Sequence, residues 1–125
     1  EYICGMKKVL FIVIILLITA SSCHRRYFEG NGTETGIASF YSESYNGKKT
    51  ANGEIYHSSD LTAAHKKLPF GTKVKVKNLS NGKTVKVRVN DRGPFVNGRI
   101  IDLTRAAARK LDMVDAGVVK VKIKY

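Results

Sequence analysis

The chain has 125 residues, with 22 Lys and Arg against 10 Asp and Glu and a net charge of +12; that is room for one small basic domain and excludes a two-domain enzyme. Its apolar share of 43% is globular rather than disordered. Trp is absent, and the only cysteines, Cys4 and Cys23, precede the strand-like patterns, which excludes a disulfide framework or a Cys-ligated zinc site.

Lys7 and Lys8 are followed by ten apolar residues, Val9 to Ile18, and then by Thr19-Ala20-Ser21-Ser22 and Cys23. A basic start, a short apolar run and small residues make a secretory signal, since ten helical residues reach only about 15 Å of a ~30 Å bilayer core. Met6 is the expected start, and residues 1–22 are set aside as upstream residues and signal peptide. A Cys directly after such a run resembles the lipobox of bacterial lipoproteins, although Ala20 stands where Leu is usual. Cys23 is therefore the expected lipidation site, anchoring the exported chain to a bacterial membrane on its periplasmic face; a plain signal with an incidental Cys23 is the alternative. Residues 24–125 carry 20 basic and 9 acidic residues, a net of +11. Outside the membrane that charge faces phospholipid head groups, anionic wall polymers and glycan carboxylates rather than nucleic acid.

Residues 23–35 are expected to form the lipidated Cys and a polar tether, and residues 36–125 the domain. In chain order, Gly36–Tyr41 is a short strand candidate, and Leu61–Lys66 a weak helical turn ended by Leu68-Pro69. Lys73–Lys77 and Val85–Val89 alternate Val with Lys or Arg and flank Asn81-Gly82, which predicts a hairpin. Ile100–Leu103 is another strand candidate, Thr104 is the expected N-cap of a helix through the Ala-rich RAAARKL, and Val119–Lys124 alternates again. Many short, one-sided strands predict a mainly β fold, a small closed barrel with one or two short helices and its lysines outward.

The unusual polar stretches lie between the strands: Thr50-Ala51-Asn52-Gly53-Glu54, Thr62-Ala63-Ala64-His65 and Asn90-Asp91-Arg92-Gly93-Pro94-Phe95. Loop residues held by a rigid scaffold are the usual carriers of chemistry. Read on their own, Asp91 is either a catalytic carboxyl or a turn aspartate, Glu54 a catalytic or an exposed hairpin residue, and His65 a catalytic or a structural histidine. Arg92 either pairs with Asp91 or binds a glycan carboxylate, and Asp102 reads as a helix-capping or backbone-binding residue rather than a catalytic one. The histidines have no metal-ligand spacing, and no metal is expected.

The string GIASFY, TANGE, LTAAHKKLPFGTKVKV, VRVNDRGPF, GRIIDLTRAAA and KVKIKY resembles the rare lipoprotein A family, the RlpA-like lytic transglycosylases, over about residues 36–125. The resemblance implies a six-stranded double-psi β-barrel. It also implies cleavage of peptidoglycan glycan strands between N-acetylmuramic acid and N-acetylglucosamine without water, the muramyl C6 hydroxyl attacking C1 to leave a 1,6-anhydro end. Carried over motif by motif, the catalytic residues are Asp91, His65 and Glu54; beside that carry-over, Asn90, Arg92, Thr50 and Asn52 are the expected substrate-binding residues. Such a reaction needs one carboxyl group to protonate the leaving oxygen and then accept the C6 hydroxyl proton, a role expected of Asp91. Glu54 and His65 would tune or position it, the three converging in one groove. No cofactor is expected, and the partners are glycan strands and the membrane, with the chain a monomer. The alternatives are a non-catalytic, expansin-like glycan-binding lipoprotein and a hydrolase using Glu54 and Asp91 as an inverting pair.

Overall fold

The computed structural model describes residues 31–125, so the expected signal peptide, Cys23 and the first part of the tether lie outside the described residues. Six strands form the barrel: β1 (Thr33–Phe40), β2 (Thr62–His65), β3 (Lys73–Asn78), β4 (Thr84–Asp91), β5 (Arg99–Leu103) and β6 (Val119–Lys124). A 3-10 turn, Glu43–Tyr45, follows β1, and one α-helix, α1 (Arg105–Lys110), follows β5. Around the barrel the order is β1-β5-β2-β4-β3-β6, and β6 closes onto β1. The β1–β5 and β2–β4 contacts are parallel. Parallel neighbours cannot be joined by tight hairpins, and these partners are not consecutive in the chain; of the polar motifs, residues 50–54 lie on the long connection from β1 to β2, Thr62–His65 is β2 itself, and Asn90 and Asp91 end β4.

The alternating segments behave as expected. Val74, Val76, Val85, Val87, Val89, Val121 and Ile123 fill the interior, while Lys73, Lys75, Lys77, Lys86, Lys120, Lys122 and Lys124 are exposed. Asn81-Gly82 turns the β3–β4 hairpin, with Gly82 in the left-handed region at φ 77°. Thr104 caps α1 by accepting from the Ala107 amide, and Ala107, Ala108, Leu111 and Met113 pack against the barrel interior. Gly36 is required by packing, since a Cβ there would stand 2.6 Å from the Ile100 side chain.

Two expectations are corrected. Leu61–Lys66 is not a helical turn: residues 62–65 are β2, buried throughout between β4 and β5. Ala63 and Ala64 favour helix locally, but their small side chains let β2 sit between two neighbours, and pairing outweighs propensity. The first strand begins at Thr33, not Gly36, because residues 33–35 pair with Lys122–Lys124 of β6. Their threonines and glutamate show no alternation from which that pairing could be read.

Candidate active site

Ser39, Asp102, Ala64 and Asp91 stand in register across β1, β5, β2 and β4. Val85, Val87 and Val89 point inward, so an unbroken β4 would aim Asp91 into the core. Instead the β2–β4 pairing shifts: Ala63 faces Val89 and Ala64 faces Asp91, which leaves Asn90 as the extra residue. Such a bulge re-aims the side chain that follows it. Asp91 thereby joins Asp102 on the outer side, with Ala64 between them under Tyr41 and Tyr56. Two strand spacings separate the aspartate backbones, about 9–10 Å.

Above this row lies a groove of about 360 Å³, lined by Ser39, Tyr41, Asp91, Phe95, Arg99 and Asp102 among others. Asp91 is an acceptor at each of its hydrogen bonds: Tyr41 Oη donates to Oδ2 at 2.5 Å, and the Ala51 and Arg92 amides donate to Oδ1 at 2.9 Å. Burial, reinforced by the Asp91 bond, pushes the Tyr41 hydroxyl well above its usual range, so it remains a donor. Asp102 accepts from Ser39 Oγ at 3.3 Å. Burial pushes its carboxyl up to about 6; the Asp91 charge adds to this, while Ser39 and Arg99 oppose it. Phe95 is 81% exposed at the groove edge, an apolar face offered to whatever enters.

Glu54 does not line the groove. Its carboxylate pairs with Arg88 through two bonds of 2.6 and 2.8 Å and also accepts from Asn52 Nδ2 at 2.8 Å and Asn90 Nδ2 at 3.3 Å. The Arg88 bond, above all, lowers its carboxyl to about 2. Glu54 is thus held as a charged acceptor on Arg88, outside the groove lining that holds Asp91. Thr50 Oγ1 donates to Asn52 Oδ1 at 2.7 Å, and that oxygen also accepts from the Glu54 amide at 3.0 Å. Thr50, Asn52 and Asn90 thus hold residues 50–54 in shape, and that shape aims the Ala51 amide at Asp91.

His65 ends β2 and is 5% exposed. Its Nδ1 accepts from the Lys67 and Leu68 amides, each at 3.1 Å, so Nε2 carries the hydrogen and donates to Glu34 Oε2 at 3.0 Å. His65 does not line the groove either. Arg92 does, but its guanidinium does not pair with Asp91: it donates to the Leu68 carbonyl at 2.8 Å and the His65 carbonyl at 3.3 Å and lies 4.0 Å from the Phe70 ring centre. Of the three expected catalytic residues, the structure brings only Asp91 to the groove; Glu54 and His65 brace the segments around it. Sequence reasoning missed Tyr41, Phe95 and the groove position of Asp102, which does not cap α1. Alternation along β5 from the apolar Ile101 and Leu103 was the available signal for Asp102, because it puts a carboxyl on the face opposite the core. Among the described residues, no group of three or more His, Cys, Asp or Glu side chains is placed to hold a metal ion.

A family model described as lytic transglycolase matches residues 33–123. The chain belongs to that family. The endolytic peptidoglycan transglycosylase RlpA of Campylobacter jejuni is 56% identical over 91 residues, 73% of this chain and 33% of that protein. Its counterpart in Pasteurella multocida is 57% identical over 88 residues, 70% of this chain and 30% of that protein. The chain therefore spans about a third of the length of the curated relatives it matches. Among solved structures, a Streptomyces papain inhibitor superposes with a TM-score of 0.60 at 28% identity, covering 74% of this chain and 93% of the inhibitor. An expansin of Clavibacter michiganensis superposes at 0.59 and 24% identity, covering 74% and 49%, a likeness of fold alone. The barrel is the double-psi β-barrel these proteins share.

Proposed function

We propose that this domain is a lytic transglycosylase of peptidoglycan glycan strands. It cleaves the bond between N-acetylmuramic acid and N-acetylglucosamine, with the muramyl C6 hydroxyl as nucleophile and a 1,6-anhydro end as product. The observation that carries the reading is the pair of carboxyl groups, Asp91 and Asp102, facing one groove in a chain of this family. One carboxyl must be protonated to assist the leaving oxygen, and one negative charge favours the oxocarbenium-like transition state. Asp91, fed by a tyrosine hydroxyl and two amides, is organised to act as the negative charge. Glu54 and His65 act as positioning residues, the first through the loop whose Ala51 amide grips Asp91, the second through the turn that Arg92 fastens. Phe95 offers an apolar surface for a sugar ring.

Outside the groove, the proposal includes export and a lipid anchor at Cys23, with the basic wall facing anionic surroundings as the chain works as a monomer on the cell wall. Digestion of purified glycan strands followed by mass spectrometry tests the reaction. Products ending in 1,6-anhydro-N-acetylmuramic acid are expected; reducing ends would mean a hydrolase, and binding without cleavage would mean the expansin-like alternative. That alternative draws on one observation, the absence of Glu54 and His65 from the groove lining. Replacing Cys23 with Ser should release the protein from membranes, and unchanged retention would refute the anchor.

A further inference from the structure

We infer that Asp102 is the proton donor of this reaction, the residue that protonates the leaving glycosidic oxygen, while Asp91 stays the charged partner. This assignment rests on the transglycosylase reading above. The two carboxyls share a row and a groove but not an environment. Asp91 has all its hydrogen bonds from donors, three of them, one a tyrosine hydroxyl. Asp102 has one, from Ser39 Oγ to Oδ1 at 3.3 Å, which leaves Oδ2 free. That oxygen is not sealed away: among the described residues, the only enclosed side-chain polar atom without a partner is the Tyr56 hydroxyl. Asp102 therefore has one oxygen tied to the barrel and one available to the groove.

The charged and titratable groups acting on Asp102 come from its own strand, from β4 and from the connection after β1. Arg99 lies on its own strand, Asp91 on β4, and Tyr41 and Tyr56 on the long connection after β1. Among the described residues Arg99 is the one cation that acts on it appreciably, and burial outweighs that effect, raising the carboxyl to about 6. An acid of that strength is part-protonated close to neutrality, the condition for general acid catalysis. Each proton is accounted for. The proton on Asp102 passes to the N-acetylglucosamine oxygen as its bond to the muramyl C1 breaks. The C6 oxygen then bonds to C1, and the C6 hydroxyl proton returns to Asp102, so that no water is consumed.

The test compares the protein as it stands with Asp102→Asn and Ser39→Ala, counting anhydro ends from purified strands between pH 4 and 8. Asp102→Asn should lower the rate at least about 100-fold while still binding strands. The unsubstituted protein should lose rate as pH rises through about 6, and Ser39→Ala, which removes a bond favouring the charged form, should move that fall to higher pH. Thermal unfolding checks the fold: a carboxyl raised in the folded state is ionised at a cost above its folded value. Asp102→Asn should therefore melt higher than the parent at pH 8 and match it below about pH 4. Full activity in Asp102→Asn overturns the assignment. Should that variant fail to fold, an unmoved pH fall in Ser39→Ala overturns it instead. Absence of anhydro ends from the unsubstituted protein overturns the function rather than the choice of acid.

Discussion

The wall of the barrel and its mouth are built on opposite rules. Along β3, β6 and most of β4, alternation is unbroken, and valines and isoleucine meet inside a closed interior. The outer face is almost uniformly cationic: Lys75 stands opposite both Lys86 and Lys124, and Lys77 opposite Lys122. Like charges directly across a sheet repel, so the wall's stability comes from its apolar side. At the mouth, a bulge breaks the alternation, two carboxyls share a groove, and side chains bond mainly to one another and to loop backbone. The wall's packing tolerates the cost of a half-buried carboxyl at Asp102. The contrast teaches that stability and chemistry occupy separate stretches of a small chain, joined at the β2–β4 register shift.

If this division holds, changes at the mouth should alter rate without melting the barrel, and changes in the wall should do the reverse. The largest effect on rate is expected at Asp91→Asn, which removes the groove's negative charge: a loss of about 100- to 10,000-fold in anhydro ends, with the melting temperature nearly unchanged. Ile123→Ala, in the fully enclosed wall interior, should cost about 2–5 kcal/mol in urea unfolding and leave the rate per folded molecule intact. A rate loss as large as that of Asp91→Asn would mean that wall and mouth are not separable.

Arg88 sits where the two regions meet. Glu54 has its carboxyl lowered from an ordinary 4.5 to about 2, first by the Arg88 bond. A lowered carboxyl contributes stability that is fully present above its unfolded value and is lost as pH falls through the folded one. The parent should therefore be more stable than Arg88→Met at pH 6, and the gap in melting temperature should close between about pH 4.5 and 2. A gap independent of pH would show that Arg88 acts by packing alone. The smallest effect is expected at Lys75→Gln, which relieves two like-charge contacts: stability should rise by about 0.2–1 kcal/mol at low salt, and added salt should erase the difference.

Legibility followed the same division. The β3–β4 hairpin, β6 and the Thr104-capped helix could be read because each is set by local pattern: period-two alternation, an Asn-Gly turn, a threonine before an alanine run. Asp91 was singled out from its position at the end of an alternating strand. β2 was misread because Ala63 and Ala64 express their role only when two other strands lie beside them. Glu54 was identified but not its state, since Arg88, its partner, is 34 residues away.

The amino-acid sequence by itself determined a small basic barrel, its outward lysines, its capped helix and the motifs around the mouth, because these depend on residues near one another along the chain. The tertiary structure alone decided which carboxyls share the groove. Ser39, Ala64, Asp91 and Asp102 come from four strands, and their meeting depends on one-residue register shifts in both the β2–β4 and the β1–β5 pairings, which join strands distant in sequence. The surroundings that raise the Asp102 carboxyl and ion-pair Glu54 with Arg88 likewise arise only once those strands close.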